Sequence, residues 1–196
     1  APSGTGKDAI SREITRLYPE IVCAITTTTR SPRKGEEEGV NYFFVSEREF
    51  ERKIRDKEFF EWAKVHGQYY GTPREFIEEE VKKGYDVLLL IDVQGGLSFK
   101  SEEEDSILIF VAPPSEEALR SRLRGRGTED EAAIERRLQT AADEMAYAKF
   151  YDYWVINDVL EEAVNEISSI IIAERRKIKR FLSEGETHSE GEEDGA

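Results

Sequence analysis

Ala1-Pro-Ser-Gly-Thr-Gly-Lys-Asp8, running on into Ala9-Ile10-Ser11, is the stretch that decides how the rest of this chain is read. Gly4 and Gly6 allow the backbone to aim successive N–H groups at a polyphosphate, Lys7 supplies a positive charge, and a helix starting at Asp8 adds its dipole. Ser3, Gly4, Thr5, Gly6, Lys7 and Asp8 together make a nucleoside triphosphate cradle. The strict pattern G-x-x-x-x-G-K-[ST] is broken twice, at Ala1 and at Asp8, where a carboxylate stands in place of the magnesium-binding hydroxyl. A plainer reading is a glycine-rich turn that merely opens a helix, for which Asp8 is a fair first-turn residue.

Loops of this kind follow directly on a buried strand, yet the sequence begins at the loop, so either the chain is missing that first strand or the sequence is a piece of a longer one. From Asp8 to Tyr18 the spacing predicts a helix with Ile10, Ile14 and Leu17 on one face, ended by Pro19. "EIVCAITTTT" reads as one strand, "YFFV" as a short one, and Ser46 with Glu49 as a capping box for a helix to about Lys57. "EFFEWAKVHGQYYG" reads as strand and turn, and Thr72-Pro73 opens a helix that Gly84 stops. "DVLLLID" and "ILIFVA" are nearly uniform apolar runs, as in strands covered on both faces of a parallel sheet. Helices are expected over Gln94 to Lys100, from Ser115 to about Arg124, and from a Thr128/Glu131 cap to about Ala148. "YWVIN" is a further strand, and a long helix over "LEEAVNEISSIIIAERRKIKRFL" closes the chain.

Alternating strands and helices predict an α/β fold, a three-layer arrangement on a central parallel sheet. The segment from Thr26 breaks that rhythm. The expected organisation is a single domain over 1–182, with a core of 1–25 and 86–182, an inserted mixed lobe over 26–85, a helical lid at about 120–140, and an acidic disordered tail over 183–196. The 28 basic and 42 acidic residues give a net charge of −14, which argues against nucleic-acid or anionic-membrane surfaces. Six acids fall in the tail, leaving −8 on the body. Cys23 is the single cysteine, which suits a reducing compartment and a small buried side chain. With no apolar run long enough to span a bilayer and no signal peptide, a soluble cytoplasmic protein is expected, as monomer or homodimer. Trp62 and Trp154 read as core aromatics, Tyr69 equally as packing or pocket wall, and His66, with no second ligand nearby, as structural rather than metal-binding.

A second constellation bears on the loop. "TTTTRSPR" sets hydroxyls beside Arg30 and Arg33, and Tyr42 follows the next turn; paired guanidiniums and hydroxyls bind a phosphate monoester. Glu61, Tyr70 and Thr72 come from "EWAKVHGQYYGT". A buried carboxylate at Glu61 can accept from N1–H and the exocyclic amine of guanine, which adenine does not offer.

Together, "APSGTGK", "TTRSPRKGE", "NYFFV", "EWAKVHGQYYGT", "IDVQG", "LRGRGT", "IERRL" and "YWVIND" resemble guanylate kinases from Ala1 to about Leu182. The resemblance implies a P-loop nucleoside monophosphate kinase with a core, a GMP-binding lobe and a lid over ATP, acting with Mg2+. It implies phosphate contacts for GMP from Arg30, Arg33, Tyr42 and Tyr70, and guanine contacts from Thr26, Glu61, Thr72 and Asp92. Lys7, Arg33, Arg126 and Arg137 would be catalytic, and Arg122, Arg126, Asn157 and Asp158 would join the loop in binding ATP. Ala1 is a common variant at its position in that family.

Two departures remain. The family usually carries an acid two residues before Asp92, where this chain has Leu90, while the loop hydroxyl has become Asp8. The expectation is that the carboxylate has moved from strand to loop and that Asp8 ligates Mg2+. The alternatives are a kinase-like binding module with little or no catalysis, and a kinase for another phosphorylated acceptor such as ribose 1,5-bisphosphate, whose enzymes share a Gly-Lys-Asp loop. Lys7 and the intact arginines argue against the first, and Glu61, Asp92 and Tyr42 against the second.

Overall fold

The computed structural model describes residues 2, 4–65, 67–103, 105–125 and 130–178. Its first helix, α1 (Lys7–Leu17), starts directly from Gly6, whose φ of 92° is left-handed. Ile10 and Ile14 are buried as expected, but Leu17 is 47 % exposed, because the chain is already turning away from the core there. The single strand expected over 20–29 is two: β1 (Ile21–Cys23) and β2 (Thr27–Thr28), which belong to different sheets. The break between them is where the chain leaves the core for the inserted lobe.

That lobe is a mixed sheet in the order β3-β2-β5-β4, with β3 (Phe43–Phe44) parallel to β2, and β5 (Gln68–Pro73) antiparallel to both β2 and β4 (Phe59–Val65). The helix α2 (Glu47–Arg55) packs on it; Ser46 Oγ accepts from the Glu49 amide at 3.2 Å, whereas the Glu49 carboxylate pairs with Arg52 instead of closing the box. The helix α3 (Arg74–Lys82) follows Pro73 without a side-chain cap, since the Thr72 hydroxyl is committed to Glu61. Trp62 and Trp154 are 46 % and 49 % exposed, contrary to the core role expected of them. Each ring packs on a neighbour, Trp62 on Tyr69 at 5.9 Å and Trp154 stacked on Phe110 at 5.2 Å, and leaves the rest of its surface to solvent. Tyr69 is packing: it stacks on Phe50 at 5.2 Å.

Outside the lobe, the parallel strands form two separate pairs among the described residues. The strand β6 (Asp86–Leu88) runs beside β1, and β7 (Ile109–Ala112) beside β8 (Tyr153–Ile156). "DVLLLID" therefore holds a strand only in its first half; Leu89 and Ile91 pack against Phe60, Ile77 and Phe99 and join the lobe to the core. The two pairs share one apolar cluster, in which Ile10 and Ile14 of α1 meet Ile21, Val111, Val155 and the inner face of α7 (Leu160–Arg175). Burial of this face, at about 25 cal/mol per Å2, is the main force joining them.

Asp92 caps α4 (Val93–Glu102) by accepting from the Gly95 amide at 2.8 Å. Helices α5 (Glu116–Gly125) and α6 (Glu131–Met145) pack through Leu119, Leu123, Ile134, Leu138 and Ala141. Asp130, rather than Thr128, caps α6, its carboxylate accepting from the Ala133 amide at 2.7 Å. Thr128, His66, part of the expected lid and the acidic tail lie outside the described residues. Cys23 is only half-buried, and burial pushes its thiol up. Among the described residues no helix is long and apolar enough to cross a membrane.

Candidate active site

One open cleft lies between the N-terminus of α1, the lobe, the segment after β6 and the inner face of α6. Its first wall is the glycine loop. Gly4 and Gly6 have φ of 93° and 92°, a region that costs other residues strain. A Cβ at Gly6 would also run into the Asn157 amide, which donates to Thr5 O at 2.6 Å and ties the loop to the end of β8. The Thr5 side chain is fully buried and donates to Pro2 O at 3.0 Å, so only its backbone is available to a ligand. Lys7 Nζ donates to the same carbonyl at 3.0 Å. Asp8 is exposed, in the first turn of α1, and lines the cleft.

The opposite wall belongs to the lobe. Thr26, Arg30, Arg33, Tyr42, Glu61 and Tyr70 all line it. The Arg30 guanidinium is held in two parallel bonds by Glu36, both at 2.9 Å, and donates a third to Ser31 O at 2.7 Å. Glu36 also accepts from the Arg33 backbone amide at 2.7 Å. Burial works against the Glu36 charge, but Arg30 and the Arg33 amide overcome it and hold the carboxyl below its usual range. The Arg30 guanidinium also lies 5.2 Å from the centre of the Tyr42 ring, which meets the Tyr70 ring edge-on. Burial pushes the Tyr42 phenol up, helped by the negative charge of Asp8 across the cleft.

Glu61, in the middle of β4, is only 5 % exposed and accepts from the Thr72 hydroxyl at 2.6 Å. Burial, reinforced by the charge of Asp92, pushes its carboxyl up to about 7. The close approach of α4 to this carboxylate requires a glycine, since a Cβ at Gly95 would lie 2.5 Å from Glu61 Oε2. Asp92 lines the cleft beside it. Thr72 is buried behind Glu61 and reaches the cleft only through it.

The third wall comes from α6, whose Arg137, Thr140, Ala141 and Glu144 stand at i, i+3, i+4 and i+7 and therefore on one stripe. Arg122, on α5, does not line the cleft; it donates to Asp158 O at 3.3 Å, and its Nη1 is buried without a partner. Asn157, bonded to the loop, and Asp158, bonded to Arg122, likewise lie outside the cleft lining. Ser3 and Arg126 lie outside the described residues. Leu90 lines the cleft, half-buried, two residues past the end of β6 rather than within a strand.

Sequence reasoning missed Glu36 and Glu144. A carboxylate six residues after Arg30 gives a weak hint of an ion pair, whereas Glu144 has no local signal apart from its place on the Arg137 stripe.

A family model described as "Guanylate kinase" matches residues 1–174. The guanylate kinase of Caldanaerobacter subterraneus subsp. tengcongensis is 46 % identical over 179 residues, covering 91 % of this chain and 87 % of that protein. That of Rickettsia prowazekii is 44 % identical, with 90 % of each chain covered. The crystal structure of guanylate kinase from Anaplasma phagocytophilum superposes with a TM-score of 0.77 at 36 % identity, over 90 % of this chain and 85 % of that one.

Proposed function

Because the chain belongs to the guanylate kinase family, we propose that it transfers the γ-phosphoryl group of ATP to GMP, giving ADP and GDP. The observation that carries this is the pairing, across one cleft, of a glycine loop bearing Lys7 with a preorganised Arg30/Arg33/Tyr42/Tyr70 set and a buried Glu61.

The acceptor phosphate is already ionised at neutral pH, so no strong general base is needed. Transfer then depends on aligning donor and acceptor and on neutralising charge. Arg30 and Arg33, with the phenols of Tyr42 and Tyr70, bind the GMP phosphate. Glu61 accepts from guanine N1–H and the exocyclic amine, supported by Thr72, with Thr26 and Asp92 at the edges of the base. Loop amides and Lys7 cradle the donor phosphates, and Arg137, Arg122 and Arg126 bring further positive charge as the lid closes and excludes water. Asn157 braces the loop through Thr5 O.

Among the described residues no three His, Cys, Asp or Glu side chains gather to hold a metal alone. Asp8, which lines the cleft, would offer Mg2+ bound with the nucleotide one carboxylate, a hard oxygen ligand that suits this cation. Mg2+ held there with the nucleotide would neutralise charge between the β and γ phosphates. Leu90 adds no ligand.

The test is ADP formation from ATP and Mg2+ with GMP, AMP or ribose 1,5-bisphosphate supplied in parallel. Turnover with GMP alone is expected. Turnover with the sugar bisphosphate would move the assignment to another acceptor, and silence from a protein that still binds GMP would make it a binding module.

A further inference from the structure

Glu144 is the one carboxylate of the cleft whose setting has no use so far. It stands two turns along α6 from Arg137, on the stripe facing the cleft, while Ile134, Leu138 and Ala141 pack α6 against α5. Its Oε2 is buried and accepts no hydrogen bond from the described residues. Burial pushes its carboxyl up; the N-terminal ammonium and then Lys7 favour its charge, and Asp92 opposes it, while Tyr151, near the end of α6, feels both carboxylates. A carboxylate removed from water without a hydrogen bond on one oxygen is costly, so packing gives no reason for it. A methionine or glutamine would fill the same space at less cost.

Lys7, for its part, carries its charge on a flexible four-carbon stem. In this structure the ammonium is folded back onto its own loop, donating to Pro2 O. An ammonium has three donors, and to serve the donor phosphates it must keep one orientation while the moving phosphoryl group crosses the cleft. Glu144, which lines the same cleft from α6 and whose charge Lys7 favours, offers a carboxylate that can hold that orientation.

We propose that Glu144 is a positioning residue for phosphoryl transfer, its carboxylate holding the Lys7 ammonium at the floor of the cleft. The proposal rests on the reading of Lys7 as the cation on the donor phosphates. It differs from a structural role in a measurable way. Removing an incompletely bonded buried carboxylate leaves the empty protein as stable as before or more so, whereas a misplaced Lys7 slows transfer.

The experiment is a double-mutant cycle of Lys7→Met and Glu144→Gln, read by kcat, by KM for GMP and by the thermal midpoint without ligand. Expected for Glu144→Gln are a kcat lower by roughly 10- to 100-fold, a GMP KM within about threefold of the parent, and an unchanged or higher midpoint. In the Lys7→Met background the same change should cost almost nothing, because the group it positions is gone. A parental kcat, a drop in midpoint with KM and kcat moving together, or losses that multiply in the double variant would each overturn the proposal. If Lys7→Met alone leaves kcat intact, the reading of Lys7 falls and takes this proposal with it; a slow Lys7→Met beside a fast Glu144→Gln removes only the role of Glu144. Should Glu144→Gln not fold, Glu144→Asp keeps the charge but withdraws it by one methylene. A kcat loss at constant GMP KM is then the supporting result, and parental kcat the opposing one.

Discussion

The two sides of the cleft are prepared to different degrees. On the lobe side the polar groups are already engaged: Glu36 holds Arg30 by two bonds and the Arg33 amide by a third, and Thr72 donates to Glu61. On the side of α6, Glu144 Oε2 is buried without a partner among the described residues, as is Arg122 Nη1 on α5 outside the cleft lining, and on the loop the Lys7 ammonium donates to Pro2 O. Preformed bonds fix a geometry before binding and reduce the ordering cost on association. Unpartnered buried groups do the opposite: they become satisfied only when ligand or closure supplies a partner. The contrast suggests a division of labour, with acceptor identity decided by a rigid wall and transfer organised on a wall that completes itself around the nucleotide.

If that division holds, damage on the two sides should separate in kinetics. The largest effect is expected from Lys7→Met, which removes a charge from the moving phosphoryl group: kcat should fall by about 10^3-fold while GMP binding, measured by calorimetry, stays within about threefold. A comparable loss of GMP affinity would show that the walls are not independent. Next comes Glu61→Gln, which presents a donor to a donor and should lower kcat/KM for GMP by roughly 100-fold with kcat at saturation less affected.

Glu61 also gives the contrast a pH signature. Its carboxyl has an ordinary value of 4.5 and stands at about 7 in the fold. Below 4.5 folded and unfolded chains are both protonated there, and the group has no effect on stability. As pH rises from 4.5 to 7 the folded protein keeps a proton that the unfolded chain has lost, so stability falls; above 7 the full cost, about 3 kcal/mol, is present. Glu61→Gln should therefore raise the thermal midpoint at pH 8 by about 5 °C or more and leave it unchanged near pH 4.5. If Glu61 accepts from guanine, as proposed, binding needs the ionised form, so KM for GMP should rise towards tenfold per pH unit below about 7 in the parent and stay flat in the variant. A flat parental profile would mean that Glu61 is ionised throughout and that the lobe tunes its acidity by other means.

The intermediate test is Glu36→Gln. It keeps the shape of the anchor but removes the charge that both Arg30 and the Arg33 amide use, and about a tenfold rise in GMP KM is expected with the guanine preference intact. Loss of that preference would place Glu36 in base recognition instead.

What the sequence revealed, and what it hid, follows the same line between local and distant causes. The glycine loop, the Ser46 cap and the apolar strands are legible because each is a pattern within a few residues. "EIVCAITTTT" misleads because its β-propensity is continuous, while the break after Cys23 is imposed by the pairing of Thr27 with Gly71, far along the chain. "DVLLLID" misleads similarly, since Leu89 and Ile91 are apolar for a different reason: they pack against Phe60 and Phe99. Most of the lobe's site residues were visible through Arg30, Arg33, Tyr42 and Glu61, whose types declare their chemistry. Glu36 and Glu144 were not, because an acid on a helix or in a polar loop looks like solvated surface until tertiary structure buries it.

The smallest effect is expected at Asp8, and it tests whether the donor wall is complete. If Asp8 ligates magnesium, as proposed, its negative charge favours the metal and, without metal, repels phosphate. Asp8→Ser should therefore change maximal turnover by only a fewfold, because water and phosphate oxygens still complete the ion's shell. The Mg2+ concentration for half-maximal rate should rise by about fivefold, and ATP should bind the metal-free variant more tightly than the parent. Faster turnover with an unchanged metal requirement would show that Asp8 is not a ligand. The absence of an acid at Leu90 would then have no compensation in the loop, and neutralisation on the donor side would fall to Lys7 and the arginines alone.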